Sequence, residues 1–293
     1  MNAARRRLLL LCCSLGEPGA RPLSAAEYHR LRRQLLAVPP AWRPADPLSP
    51  AGLAALGCGG ELALRIAGLL RREAVLDRYL AAGERLGIYP VTLQDRDYPP
   101  ALRRLEGPPC FFARGERRLL AGPFVAVAGA RNAGAAALRF AAQVGELAAR
   151  EGLVLVTGGA RGADKAALLA CLRAGGRCLT FVPDALRDRG DLEPGADSLA
   201  LSAEGYDAPF TAARALQRNV FIHAMGEKTF IAQTGFGRGG TWRGSMENLR
   251  RGLSRLYVLD DGSAGAAALL QRGALPVRPA ELDTLAGDGR GTK

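Results

Sequence analysis

From residue 123 onward, short unbroken apolar runs alternate with longer amphipathic ones. The runs Phe124–Ala128, Leu153–Thr157, Cys178–Val182, Thr229–Gln233 and Leu256–Leu259, with a weaker one at Leu199–Ala203, have the length and continuous apolar character of strands buried on both faces. Between them, Ala135–Arg150, Ala163–Arg173, Thr211–Ala224, Trp242–Arg251 and Gly265–Arg272 repeat apolar residues at helical spacing. Strands alternating with amphipathic helices predict an α/β domain over residues 123–275, a doubly wound parallel sheet with helices on both faces. Residues 276–293, with Gly287, Gly289 and Gly291, read as a flexible tail.

The first 88 residues follow a different period. Arg5-Arg6-Arg7 ahead of Leu8–Cys13 mimics a short signal peptide, but the apolar run is brief and no clean cleavage site follows, so it reads as a first helix. Ser24 with Glu27 is a capping box opening a basic helix that carries Leu31, Leu35 and Leu36. Pro39-Pro40 and the prolines from Pro44 to Pro50 interrupt it, and Ser49-Pro50 starts another helix. Leu56-Gly57-Cys58-Gly59-Gly60 then turns into a helix bearing Leu62, Ile66, Leu69 and Leu70. Two helices about a glycine turn form a helix-hairpin module of the SAM-like kind. Such a turn can offer backbone N–H groups to a phosphate, and it is also the commonest way to join two helices. Residues 89–122 are a Pro-rich connector, stiff and extended rather than a loose tether.

Composition narrows the function. With 48% hydrophobic and 23% charged residues, the 293-residue chain is an ordinary globular protein. No apolar run reaches the roughly 18 residues of a membrane span, so no membrane partner is expected. The formal charge is +12, and 37 of the 40 basic residues are Arg. A GC-rich genome accounts for Arg over Lys but not for the net excess, which points to a polyanionic partner such as nucleic acid. Six cysteines without a C-x-x-C pair and only two histidines exclude a zinc site; no metal or other cofactor is expected. Most of the cysteines lie in apolar runs, which suits small core residues in a reducing cytoplasm.

In a doubly wound sheet, ligands bind beyond the carboxyl ends of the strands. After the first strand, Gly129 permits a tight turn, Arg131 offers a fork suited to phosphate, and Asn132 follows. The plainer alternative is a strand-to-helix turn with a solvated Arg. After the second come Thr157, Gly158, Gly159, Arg161, Gly162, Asp164 and Lys165. Three glycines so close together fit a backbone that approaches a ligand and forms an anion nest. Asp164 suits either a first-turn dipole role or a ligand role. A second Gly-rich loop, Gly235 to Gly240, opens a helix at Thr241, placed as N-cap or phosphate donor, with Glu247 beyond. Trp242 and Phe236 could stack on a base and read better as buried anchors. No nucleophile–base pair and no Walker A loop is present, so no catalytic residue is assigned and binding is expected rather than catalysis.

In order along the chain, several segments resemble the DNA-processing protein A (DprA/Smf) family. Asp97-Tyr98-Pro99-Pro100-x-Leu102 resembles its entry motif and Gly129-Ala130-Arg131 its G-S-R turn. Thr157-Gly158-Gly159-Ala160-Arg161-Gly162-Ala163-Asp164 resembles its S-G-x-A-x-G-I-D. Ser202-Ala203-Glu204 resembles its S-E segment, and Arg218-Asn219 its R-N. The resemblance implies an extended Rossmann-like fold, single-stranded DNA binding, a homodimer and help in loading a RecA-type recombinase on incoming DNA in natural transformation. It implies phosphate contacts from Arg131, Arg161, Lys165 and Arg218; with Asn219 beside Arg218, and Gly239, Gly240 and Thr241 of the second Gly-rich loop, these make up the expected DNA site.

Leu168, Val220 and Gln233 stand where that family usually has His, Arg and an acid, and Gly239-Gly240-Thr241 replaces its S-G-S-L-x-T. A divergent member without a C-terminal winged helix is expected. The alternative comes from the same loop: Gly239-Gly240-Thr241 with Glu247 distantly resembles LOG-type nucleotide phosphoribohydrolases. In that resemblance Glu247 would position water and Arg131 would hold a phosphate.

Overall fold

Leu8 to Cys12, the apolar run after the arginine triplet, is the buried part of a helix. The computed structural model describes residues 1–40, 46–188, 197–203 and 205–285. Pro44, Glu204 and the glycines at 287, 289 and 291 lie outside the described residues. The chain divides into two units, Met1–Phe112 with Ala203–Ala208, and Ala113–Ser202 with Pro209–Lys293.

The first unit begins with α1 (Ala3–Cys12), α2 (Ala25–Ala37), α3 (Pro50–Ala55), α4 (Gly60–Leu70) and α5 (Glu73–Arg85). β1 (Ile88–Thr92), α6 (Pro100–Arg104) and the start of β2 (Cys110–Gly115) follow. The Ser24–Glu27 capping box forms as the sequence predicts, and Ser49 caps α3 with Pro50 at its first position. Arg72 donates to the carbonyls of Leu10, Cys13 and Ser14, so a cation closes the negative end of α1. Tyr79 stacks on Tyr206 with ring centroids 4.2 Å apart and donates to Asp207 at 2.6 Å, which seats residues 203–208 in this unit.

The second unit holds β3 (Phe124–Ala128), α7 (Ala135–Arg150), β4 (Val154–Thr157), α8 (Ala163–Arg173), β5 (Arg177–Val182) and β6 (Ser198–Ala203). It continues with α9 (Ala212–Met225), β7 (Lys228–Ile231), α10 (Gly239–Arg251), β8 (Arg255–Leu259), α11 (Ala264–Leu270) and β9 (Leu275–Val277). Its strands lie in the order β6-β5-β4-β3-β7-β8-β9, and every pairing among them is parallel. Both faces are covered. Val125, Val127 and Phe230 pack with Phe140, Val144 and Ala167 of α7 and α8. Ala128, Ile231 and Val258 pack with Trp242 and Leu269 on the other side. This is the doubly wound α/β architecture read from the apolar runs.

Some elements depart from the sequence reading. α10 starts at Gly239, ahead of the expected Trp242, because two glycines lower helix propensity in a sequence yet form its first turn here. β9 was not expected: it is three residues long and contains Pro276. Within the stretch read as a tail, residues 276–285 continue the fold, with Leu282 and Leu285 buried and the Leu285 carbonyl accepting from Lys228 Nζ at 2.7 Å. Five of the six cysteines are buried and all six are free thiols.

Candidate nucleic-acid interface

The connections from β3 and from β7 leave in opposite directions across the sheet. The carboxyl ends of these two adjacent strands therefore diverge into a crevice. Three loops meet there: 129–134 after β3, 158–162 after β4 and 232–238 after β7. The crevice measures about 680 Å³.

Asp164, in the first turn of α8, organises these loops. It is 5% exposed. Its Oδ1 accepts from Gly129 N–H at 3.1 Å, and Gly158 and Ala160 N–H also point to it. Its Oδ2 lies 3.7 Å from Arg218 Nη1. Burial pushes the Asp164 carboxyl upward, opposed by Arg218 and by the three N–H groups. Glycine is needed at two positions around this centre. A Cβ at Gly158 would sit 1.4 Å from Arg218 Nη1. Gly162 has φ +94° and lies against the Ala130 carbonyl, which a Cβ would meet at 2.3 Å.

The loops are also tied to one another. Thr241 Oγ1 donates to the Gly129 carbonyl at 2.9 Å, and Gln233 Oε1 accepts from Gly134 N–H at 2.9 Å. Asn219 Nδ2 donates to the Gly240 carbonyl at 3.1 Å, and Arg161 donates to Asn132 Oδ1. Thr241 is therefore inside α10 rather than its N-cap, which is Arg238.

Helix starts in this unit fall into two kinds. Thr211 and Ser263 cap α9 and α11 through their hydroxyls. α7, α8 and α10, the three helices that open at the crevice edge, have no side-chain cap. In α8 the Ala163 and Lys165 N–H groups instead go to the carbonyls of Ala130 and Ala160.

The expected site residues separate accordingly. Arg131, Asn132, Arg161, Lys165, Gly239 and Gly240 are exposed. Gly129, Gly159, Gly162, Asn219 and Thr241 are half-buried, while Thr157, Gly158, Asp164 and Arg218 are buried. The crevice wall includes Gly129, Arg131, Asn132, Asp164, Arg218 and Asn219, together with the start of α10. It does not include Thr157, Gly158, Gly159, Arg161, Gly162 or Lys165. The Arg218 placement matters most: 7% exposed and beside Asp164, it positions loops where a surface cation was expected.

Sequence reasoning missed Phe210, His223, Arg238 and Arg243 as parts of the wall. A four-residue step from Asn219 places His223 on the same helix face, a signal that could have found it. Trp242 is buried as expected, with Arg272 over its ring; Phe236 is 58% exposed and packs edge-on against it. Glu247 accepts from Arg250 at 2.6 Å and lies 3.5 Å from Arg251, outside the crevice wall. Among the described residues no three His, Cys, Asp or Glu side chains gather as a metal site, and no helix is long and apolar enough to cross a membrane.

The family described as DNA recombination-mediator protein A matches residues 90–282. The chain belongs to this family. Two solved structures of DNA processing protein A have the same fold. That from Streptococcus pneumoniae is 24% identical, covering 87% of this chain and 95% of its own, at a TM-score of 0.60. That from Helicobacter pylori, described with a single-stranded DNA binding mode, is 24% identical, covering 64% of this chain and 90% of its own, at 0.56. No curated protein matches the chain by sequence. Membership in the DNA recombination-mediator protein A family places the chain in DNA processing, and the crevice wall includes Gly129-Ala130-Arg131, Asp164 and Arg218-Asn219 from the segments that resemble the family.

Proposed function

We propose that this protein binds single-stranded DNA along the crevice edge of its parallel sheet, as a homodimer in the cytoplasm, and helps a RecA-type recombinase onto that DNA. One observation carries the reading: Arg131, Arg161, Lys165, Arg238 and Arg243 are all exposed along one edge, beside the start of α10, which has no side-chain cap. Helix starts and guanidinium groups both favour phosphate oxygens. The one carboxylate in the crevice wall, Asp164, is buried beside Arg218. Membership in a family described as recombination mediators supports the helper role, and the single-stranded DNA binding mode described for the Helicobacter pylori protein supports the choice of strand. No nucleophile–base pair belongs to the reading, which is one of binding without catalysis.

The test is fluorescence anisotropy of a labelled single strand at two salt concentrations, with duplex as competitor. Tight, salt-sensitive binding that duplex displaces poorly is the expected result. Absence of binding at low salt overturns the reading.

A further inference from the structure

Cys171 and Cys178 are not part of the crevice wall, and folding places their thiols together. α8 ends at Arg173, and a turn through Gly175, at φ +73°, brings the chain back into β5 at Arg177. Gly176 completes that turn without a side chain. A Cβ there would meet Ala149 Cβ at 2.5 Å and Cys171 Sγ at 2.6 Å, so the backbone returns closely past the first thiol. Cys178, the second residue of β5, enters the same apolar cluster as Cys171, and both side chains are buried.

Each thiol reaches the element that carries the other. Cys171 Sγ donates to the Arg177 carbonyl at 3.7 Å, and Cys178 Sγ lies 3.9 Å from the Leu168 carbonyl of α8. The two thiols are also hydrogen-bonded to each other. That bond makes the pair unsymmetrical. The Cys178 S–H holds the Cys171 thiol below its ordinary range, with help from the Arg177 guanidinium and against burial. The same bond and burial push Cys178 up. Cys171 is therefore the partner that forms a thiolate, and Cys178 the one that keeps its proton. Cys12 and Cys58, by contrast, are pushed up by burial. Leu172 to Gly175 are all exposed, so the turn that joins the two cysteines runs on the surface. Local opening of such a turn admits a small oxidant.

We propose that Cys171 and Cys178 are a dithiol that hydrogen peroxide closes to a reversible disulfide between α8 and β5. The Cys171 thiolate attacks one peroxide oxygen, the O–O bond breaks, and the other oxygen leaves as hydroxide, which takes up the proton Cys171 lost and becomes water. The Cys178 sulfur then attacks the Cys171 sulfenic acid. The S–S bond forms, and the sulfenic oxygen leaves as a second water with the Cys178 proton. Two electrons pass from the thiols to the peroxide, and a thiol reductant reverses the bond by exchange. The crosslink ties the last turn of α8 to the sheet, in the helix whose first turn holds Asp164.

The experiment treats the full chain with hydrogen peroxide, alkylates the remaining thiols in denaturant and maps tryptic peptides by mass, for wild type, C171A and C178A. Cleavage after Arg173 and Arg177 separates the two cysteines, so the disulfide joins two peptides. Oxidised wild type is expected to be about 2 Da lighter than the reduced chain, with Cys171 linked to Cys178 and the mass restored by dithiothreitol. C178A is expected to hold a Cys171 sulfenic acid that dimedone captures, and C171A to form no crosslink. Alkylation of both cysteines in peroxide-treated wild type overturns the proposal. So does a disulfide through any other pair, or oxidation of half-buried Cys58 ahead of Cys171. Should either alanine variant fail to fold, the wild-type peptide map decides alone.

Discussion

Asp164 Oδ2 and Arg218 Nη1 face each other at 3.7 Å inside the second unit, joining the first turn of α8 to the middle of α9. The same carboxylate takes the N–H groups of Gly129, Gly158 and Ala160, so one buried pair sets the positions of two loops. Removing the cation strands a charge. Arg218→Ala is expected to lower unfolding stability by about 3–5 kcal/mol. Asp164→Asn is expected to lower it as well, and the double variant by less than the sum. Denaturant midpoints check this. Weaker DNA binding by Arg218→Ala at unchanged stability would instead make Arg218 a direct contact.

Gly158→Ala puts a methyl group where Arg218 Nη1 now lies. A loss of about 1–3 kcal/mol is expected. Gly134, where a Cβ would meet nothing within 4 Å, is the comparison: Gly134→Ala is expected to be nearly neutral. Equal melting temperatures for the two variants would contradict the packing argument.

The exposed cations act on affinity rather than on stability. Arg131→Ala and Arg161→Ala are each expected to flatten the dependence of log K on log salt by about 0.7–1, with all sequences weakened alike. Titrations of two unrelated single strands at several salt concentrations measure the slope. A variant that loses one sequence only would place its arginine on a base.

His223 carries a pH signature. Its pKa falls from 6.5 to about 4 on folding, because burial disfavours the charged ring. Between those values the unfolded chain binds the extra proton, so this contribution to stability is full above pH 6.5 and lost as pH falls toward 4. The loss approaches about 3 kcal/mol at the lower end. Subtracting the pH profile of His223→Leu from that of wild type isolates it. A flat difference between pH 4 and 6.5 would show the ring to be accessible to water.

The strand–helix alternation was legible because each element has a single environment. Strands buried on both faces must be continuously apolar, and α7 and α8 repeat at helical spacing over their whole lengths, so Ala135–Arg150 and Ala163–Arg173 were read to the residue. The capping box at Ser24 and the Ser49-Pro50 start were legible for a similar reason, since the groups that bond are three residues apart or fewer. The start of α10 was not, because glycine's low propensity is outweighed by packing that the local sequence does not contain.

At the crevice the sequence by itself determined which residues follow each strand: the glycines, Arg131, Arg161 and Lys165, and hence a basic edge at the carboxyl ends of the sheet. Only the tertiary structure decided their roles. Arg218 is an interior partner because Asp164 lies opposite it across 54 positions of chain, and Thr241 is spent on Gly129 from 112 positions away. His223 is an unpaired donor because Asn248 occupies its other nitrogen. A side chain's charge and hydrogen-bonding capacity are local properties. Whether they are satisfied inside or offered to a ligand depends on groups that folding brings near from remote parts of the chain.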